Sequence, residues 1–116
     1  MILYHASPSR IFSFIIPNEN GLHLGSVDSA IYAAQRKSTS YYLYRCNVAI
    51  SNPIDVEDCG YDWKSEIDFA AYQGYDAIRY RNKYEPSASP SYVIWDARKI
   101  ISFELVGVGN ADHQIP

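Results

Sequence analysis

The chain has 116 residues and a formal net charge of −3, a length that suits one domain, residues 1–116, around one core. Hydrophobic residues make up 47% and charged residues 20%, proportions that argue against disorder. Basic residues form no run, the densest stretch being residues 78–84, so a nucleic-acid partner held by phosphate neutralisation is disfavoured.

Residues 1–6 read as a short first strand, ended by Ser7, Pro8 and Ser9. Residues 11–16 alternate weakly and fit either a short strand or an irregular wall. Residues 17–25 carry Pro, Asn and Gly and read as a loop. Ser26 is placed to cap a helix running to about Lys37, with Asp28 in the first turn favouring its dipole. Val27, Ala30, Ile31 and Ala34 recur at helical spacing and are expected inward.

Residues 41–50 are the clearest strand, with Tyr42, Tyr44, Cys46, Val48 and Ile50 on the apolar face. A turn and a short extended piece follow over residues 51–56. Asp62 can cap a second helix over residues 63–73, which Gly74 stops. Strands are expected at 75–80, 91–95 and 101–108, with a long turn at 81–90 and a loose tail from Gly109. Strands at both ends with interspersed helices and short connections predict an α+β domain with a mixed or antiparallel sheet.

Several chemistries are disfavoured by pattern. No glycine-rich loop joins a strand to a helix, so neither a Rossmann site nor a P-loop is expected. Cys46 and Cys59 form no CxxC, and His5, His23 and His113 are scattered, so no metal site is expected. Both cysteines are read as free thiols in a reducing compartment, and neither sits where a thiol nucleophile would meet a base. The first ten residues are too polar for a signal peptide, and no apolar run approaches the ~20 residues needed to span a bilayer. The expectation is a cytoplasmic protein with no membrane partner. Eleven tyrosines against four phenylalanines supply flat apolar area with a polar tip, suited to a core or to a pocket that stacks rings.

Four stretches, in this order, resemble the ADP-ribosyltransferase superfamily. Residues 3–7 (LYHAS) are similar to its first-strand Leu/Val-Tyr-His-Gly-Ser/Thr motif. Residues 21–34 (GLHLGSVDSAIYAA) resemble its Gly-x-Tyr-Phe loop followed by Ser-x-x-Tyr. Residues 74–85 (GYDAIRYRNKYE) and 91–100 (SYVIWDARKI) resemble two later stretches of small bacterial and phage members. The resemblance covers most of the chain. It implies a split mixed sheet forming a cleft for NAD, with two main helices. It also implies transfer of ADP-ribose from NAD, as substrate, to an acceptor protein with release of nicotinamide. A phage- or mobile-element-borne effector is the setting it suggests.

The resemblance assigns roles residue by residue. His5 would bond a ribose hydroxyl, and the backbone of Ala6, where the family commonly has glycine, would bond the carboxamide, with Ser7 closing the motif. Ser29 and Tyr32, three apart on one helix face, would bond the carboxamide and stack the nicotinamide. His23 stands where the family usually has tyrosine. Ser91 stands where many members carry the catalytic glutamate, so Glu85, supported by Asn82, becomes the expected carboxylate, with Asp96 as a second candidate that reads more simply as the start of a turn. The loop over residues 85–91 matches the position of the acceptor-recognition loop.

Each residue also has a plainer reading. His5 would be a strand histidine with a satisfied bond, Tyr32 a packing residue, Ser29 part of the helix start and Glu85 a solvated turn residue. The alternative to an enzyme is therefore a catalytically impaired NAD-binding or protein-interaction module that keeps the fold and inhibits a partner by binding.

Overall fold

The computed structural model describes residues 1–11, 13, 15–36, 40–59, 62–81 and 89–110. In chain order the elements are β1 (Ile2–Ser7), β2 (Leu22–Leu24), α1 (Val27–Gln35), β3 (Ser40–Val48), β4 (Pro53–Asp55), α2 (Lys64–Tyr72), β5 (Ala77–Tyr80), β6 (Ser91–Ile94), a 3₁₀ turn (Ala97–Lys99) and β7 (Ile100–Asn110). Among the described residues the fold is α+β, with two helices and two sheets. One sheet is antiparallel, in the order β1-β3-β7. The other is mixed, in the order β2-β6-β5-β4, with β4 and β5 parallel and the remaining pairs antiparallel.

The core lies between the sheets. Leu3 of β1 and Tyr44, Cys46 and Val48 of β3 meet Leu22, Leu24, Ala77, Tyr92 and Ile94 of the second sheet in one cluster. Each of the leucine, isoleucine and valine side chains among them contributes roughly 1.5–3 kcal/mol by leaving water. The helices cover the outer faces. Ala30 and Ala34 of α1 pack on Tyr41 and Leu43 of β3. Trp63 and, from α2, Ile67 and Ala70 pack on Ile78, Tyr80 and Val93.

Local chemistry accounts for the helix ends. Ser26 caps α1 as its type and position predict, its Oγ accepting the Ser29 N–H at 3.1 Å. α2 ends in a paired C-terminal motif: Gly74 N–H donates to the Ala71 carbonyl at 3.1 Å and Tyr75 N–H to the Ala70 carbonyl at 3.0 Å. This requires Gly74 at φ 89°, a left-handed conformation that glycine adopts without a Cβ penalty.

Five expectations need correction. Residues 17–25 are not all loop, because Leu22–Leu24 pair with β6; three residues carry too little strand signal by themselves, and their partner lies seventy residues downstream. Asp62 does not cap α2: the residue before the helix is Trp63, already in helical conformation and buried, and no side chain caps there. Val27 stays 36% exposed rather than inward, since only Ala30 and Ala34, with Ile31 half-buried, are short enough to meet β3 closely. Tyr41 and Leu43 on the other face of β3 are buried as well, because α1 covers the face that alternation alone would leave polar. The last strand runs on through Gly109 and Asn110, paired with Tyr41 and Ser40.

Among the described residues of 11–16 there is no strand, and Ile15 is buried in the core, the irregular-wall alternative. α1 ends at Gln35, and Lys37 lies outside the described residues, as do residues 111–116. The pairing of β3 with β7 shifts register twice, leaving Val106 and Ile101 without direct partners. Such bulges increase local twist and interrupt a long sheet edge.

Candidate functional site

Tyr4 and Gly25 stitch the two sheets together. Tyr4 N–H donates to the Gly25 carbonyl at 2.7 Å, and Gly25 N–H returns a bond to the Tyr4 carbonyl at 3.0 Å. β1 of the first sheet thereby meets the chain leaving β2 of the second. The absence of a side chain on Gly25 allows this approach. A Cβ there would lie 2.9 Å from Ser91 Oγ and 3.1 Å from Ser29 Cβ, so the start of β6 and the first turn of α1 both close on it.

Side chains with chemistry gather around this seam. His5, next to Tyr4, brings Nδ1 to 3.0 Å from the His23 carbonyl. A carbonyl only accepts, so Nδ1 carries the proton and a neutral His5 presents Nε2 as its lone-pair nitrogen. His23 is half-buried, with Nδ1 2.8 Å from the Tyr80 hydroxyl and Nε2 3.1 Å from the Asn20 carbonyl. Its ring meets Trp63 and Tyr80 edge-on, at centroid distances of 5.4 and 5.7 Å. Ser29 and Ser91 are each only 5% exposed. Ser29 Oγ accepts a bond from Ser26 Oγ at 2.9 Å, which ties it to the helix cap.

The other expected residues divide into three groups. Tyr32 is half-buried one helical turn beyond Ser29. Ala6 packs towards α1, and Ser7 closes its own turn, donating to the Ser9 carbonyl at 2.6 Å and accepting the Ser9 N–H at 3.2 Å. Asn82, Glu85 and most of the loop expected to meet an acceptor lie outside the described residues. Asp96 starts a turn, as its place after β6 suggests. Its carboxylate accepts the Arg98 N–H at 3.0 Å and pairs with the Arg98 guanidinium at 3.1 and 2.9 Å, which holds it below the usual carboxylate range.

Sequence reasoning did not single out Tyr80, whose link to His23 spans 57 residues. Nor did it foresee a cleft of about 830 Å³ beside the strand ends, lined by Glu57, Asp58, Tyr80, Arg81 and Tyr92 among others. On its wall the Arg79 guanidinium grips Asp55 at 2.6 and 2.9 Å, and that hydrogen bond holds the Asp55 carboxyl low. The Asp55–Arg79 pair depends on the parallel pairing of β4 with β5, and the Tyr80–His23 link on the strand order β2-β6-β5; no local motif signals either.

Cys46 is fully buried, and desolvation pushes its thiol up to about 11. Cys59 is exposed, and its thiol is also raised, first by partial burial and then by Glu66. Neither is a low-pKa nucleophile of the kind thiol catalysis uses. Among the described residues no group of three or more His, Cys, Asp or Glu side chains is placed to hold a metal ion, and no helix is long and apolar enough to cross a membrane. No family model matches the chain, and no curated protein matches it significantly.

Proposed function

We propose that the chain is a mono-ADP-ribosyltransferase that moves ADP-ribose from NAD to an acceptor protein, in the small bacterial or phage effector style its sequence resembles. The observation that carries this reading is the convergence of His5, His23, Ser29 and Ser91 on the Tyr4–Gly25 seam. These residues come from β1, β2, α1 and β6, and three of the four resembling stretches supply them.

The reaction breaks the bond between ribose C1′ and the nicotinamide nitrogen. Nicotinamide leaves neutral with the bonding pair, the acceptor nucleophile bonds to C1′, and its proton is lost to base. The transition state carries oxocarbenium character, so the protein's work is orientation and electrostatics. His5, protonated on Nδ1 by its bond to the His23 carbonyl, accepts a ribose hydroxyl at Nε2. Ser29 bonds the carboxamide together with the Ala6 backbone, and the Tyr32 ring stacks on the pyridinium, which suits a cation. Ser7 keeps the end of β1 turned. Glu85, which the resembling motif pairs with Asn82, supplies the carboxylate that stabilises positive charge on the ribose. The site acts in the cytoplasm, where NAD is abundant.

The second reading is a module that keeps the fold without the chemistry, and Ser91 favours it: a neutral hydroxyl, not a carboxylate, faces Gly25 at the start of β6. Nicotinamide release from NAD, together with transfer of labelled ADP-ribose to protein, separates the two. The first reading expects both signals, reduced ~100-fold in His5→Ala and in Glu85→Ala. A chain that binds no NAD by calorimetry yet holds a protein partner tightly is the module instead.

A further inference from the structure

We propose that Tyr80 is a positioning residue for the candidate site, acting through His23 on His5; this rests on the reading of His5 as the ribose contact. Three hydrogen bonds carry it. The Asn20 carbonyl, 3.1 Å from His23 Nε2, can only accept, so Nε2 holds the ring proton. If the ring is neutral, Nδ1 is then a lone pair, and the Tyr80 hydroxyl, 2.8 Å away, is its donor. On the main chain of the same residue, the His23 carbonyl takes the Nδ1 proton of His5 at 3.0 Å.

As neutral rings the two histidines therefore take opposite tautomers, His23 protonated on Nε2 and His5 on Nδ1. Second partners of this kind set ring orientation and tautomer wherever a histidine works on a ligand. The seating of Tyr80 is firm. It lies in β5 opposite Ser91 of β6, is buried, and packs on Trp63 at a centroid distance of 4.6 Å. It thus couples the α2 side of the second sheet to the strand whose carbonyl aligns His5. Removing the hydroxyl takes away one bond that fixes the His23 ring, and the β2 peptide that meets His5 gains freedom.

The test uses the full chain labelled with ¹⁵N-histidine and read by long-range ¹H–¹⁵N correlation spectra near neutral pH. The wild type is expected to show His5 protonated on Nδ1 and His23 on Nε2. Tyr80→Phe keeps the buried ring and is expected to turn His23 into a tautomer mixture. It is also expected to weaken NAD binding about fivefold, the equivalent of one hydrogen bond at ~1 kcal/mol. A wild-type His5 protonated on Nε2 overturns the proposal, as does a Tyr80→Phe chain with His23 tautomer and NAD affinity both unchanged. If the wild type binds no NAD, the functional reading falls, and the tautomers alone decide whether Tyr80 sets the two rings.

Discussion

Gly25 and Asp76 show how single residues hold the fold in place. At Gly25 the constraint is close approach: Ser91 Oγ and Ser29 Cβ occupy the space a methyl group would need. Gly25→Ala must push β6 or α1 outward, and overpacking of this kind costs ~1–3 kcal/mol. Urea unfolding is expected to show that loss, and a variant as stable as the wild type would mean the seam yields freely. Asp76 works by charge. Burial alone would raise its carboxyl, but the Ser51 and Asn52 amides at 2.8 Å each, the Ser51 hydroxyl at 3.0 Å and nearby Lys99 outweigh it and hold it below the ordinary value. A depressed carboxyl contributes stability above the unfolded value of about 3.9 and loses it as pH falls further. Asp76→Asn is therefore expected to narrow the stability gap to the wild type as pH drops from about 5 to about 3. A gap constant across that window would contradict the assignment.

Helix and strand ends decide where the elements stop. α2 terminates at Gly74, where φ is 89° and a Cβ would touch nothing within 4 Å. The glycine is thus required by backbone conformation alone. Gly74→Ala is expected to cost about 1 kcal/mol, seen as a lowered urea midpoint without change in the seam; a neutral effect would show that the helix end rearranges at no cost. β2 makes the opposite case. Its three residues become a strand because Leu22 and Leu24 drop into the core and their backbones pair with β6. With His23 between them, the chain also gains the carbonyl that meets His5. The capping of α1 by Ser26 has a similar double use, since the same hydroxyl bonds Ser29.

For the whole molecule, the arrangement is two sheets facing each other with a helix outside each, and the core between them draws on both. Cys46 reports on that core. It is fully buried on β3, with its thiol raised to about 11, whereas Cys59 is exposed. A thiol-specific disulfide reagent near pH 8 is expected to modify one cysteine in the native chain and a second only after denaturation. Rapid native modification of both would mean the sheets part locally, without global unfolding.

The α+β class, the Ser26 cap, the Gly74 stop, β3 and the turn at Asp96 could all be read from the chain, because each rests on neighbours within a few residues. Motif order also pointed to His5 and Ser29, which flank the Tyr4–Gly25 seam. Tertiary structure alone decided the rest. Alternation could not reveal that both faces of the first half of β3 are covered, since the cover comes from α1. Trp63, not Asp62, precedes α2 because burial of a large ring against Ile78 and Val93 dominates the helix start. The Tyr80–His23 bond and the Asp55–Arg79 pair join residues 57 and 24 positions apart. Capping and periodicity act over one or two turns of chain, whereas these contacts exist only after the two sheets have chosen their partners.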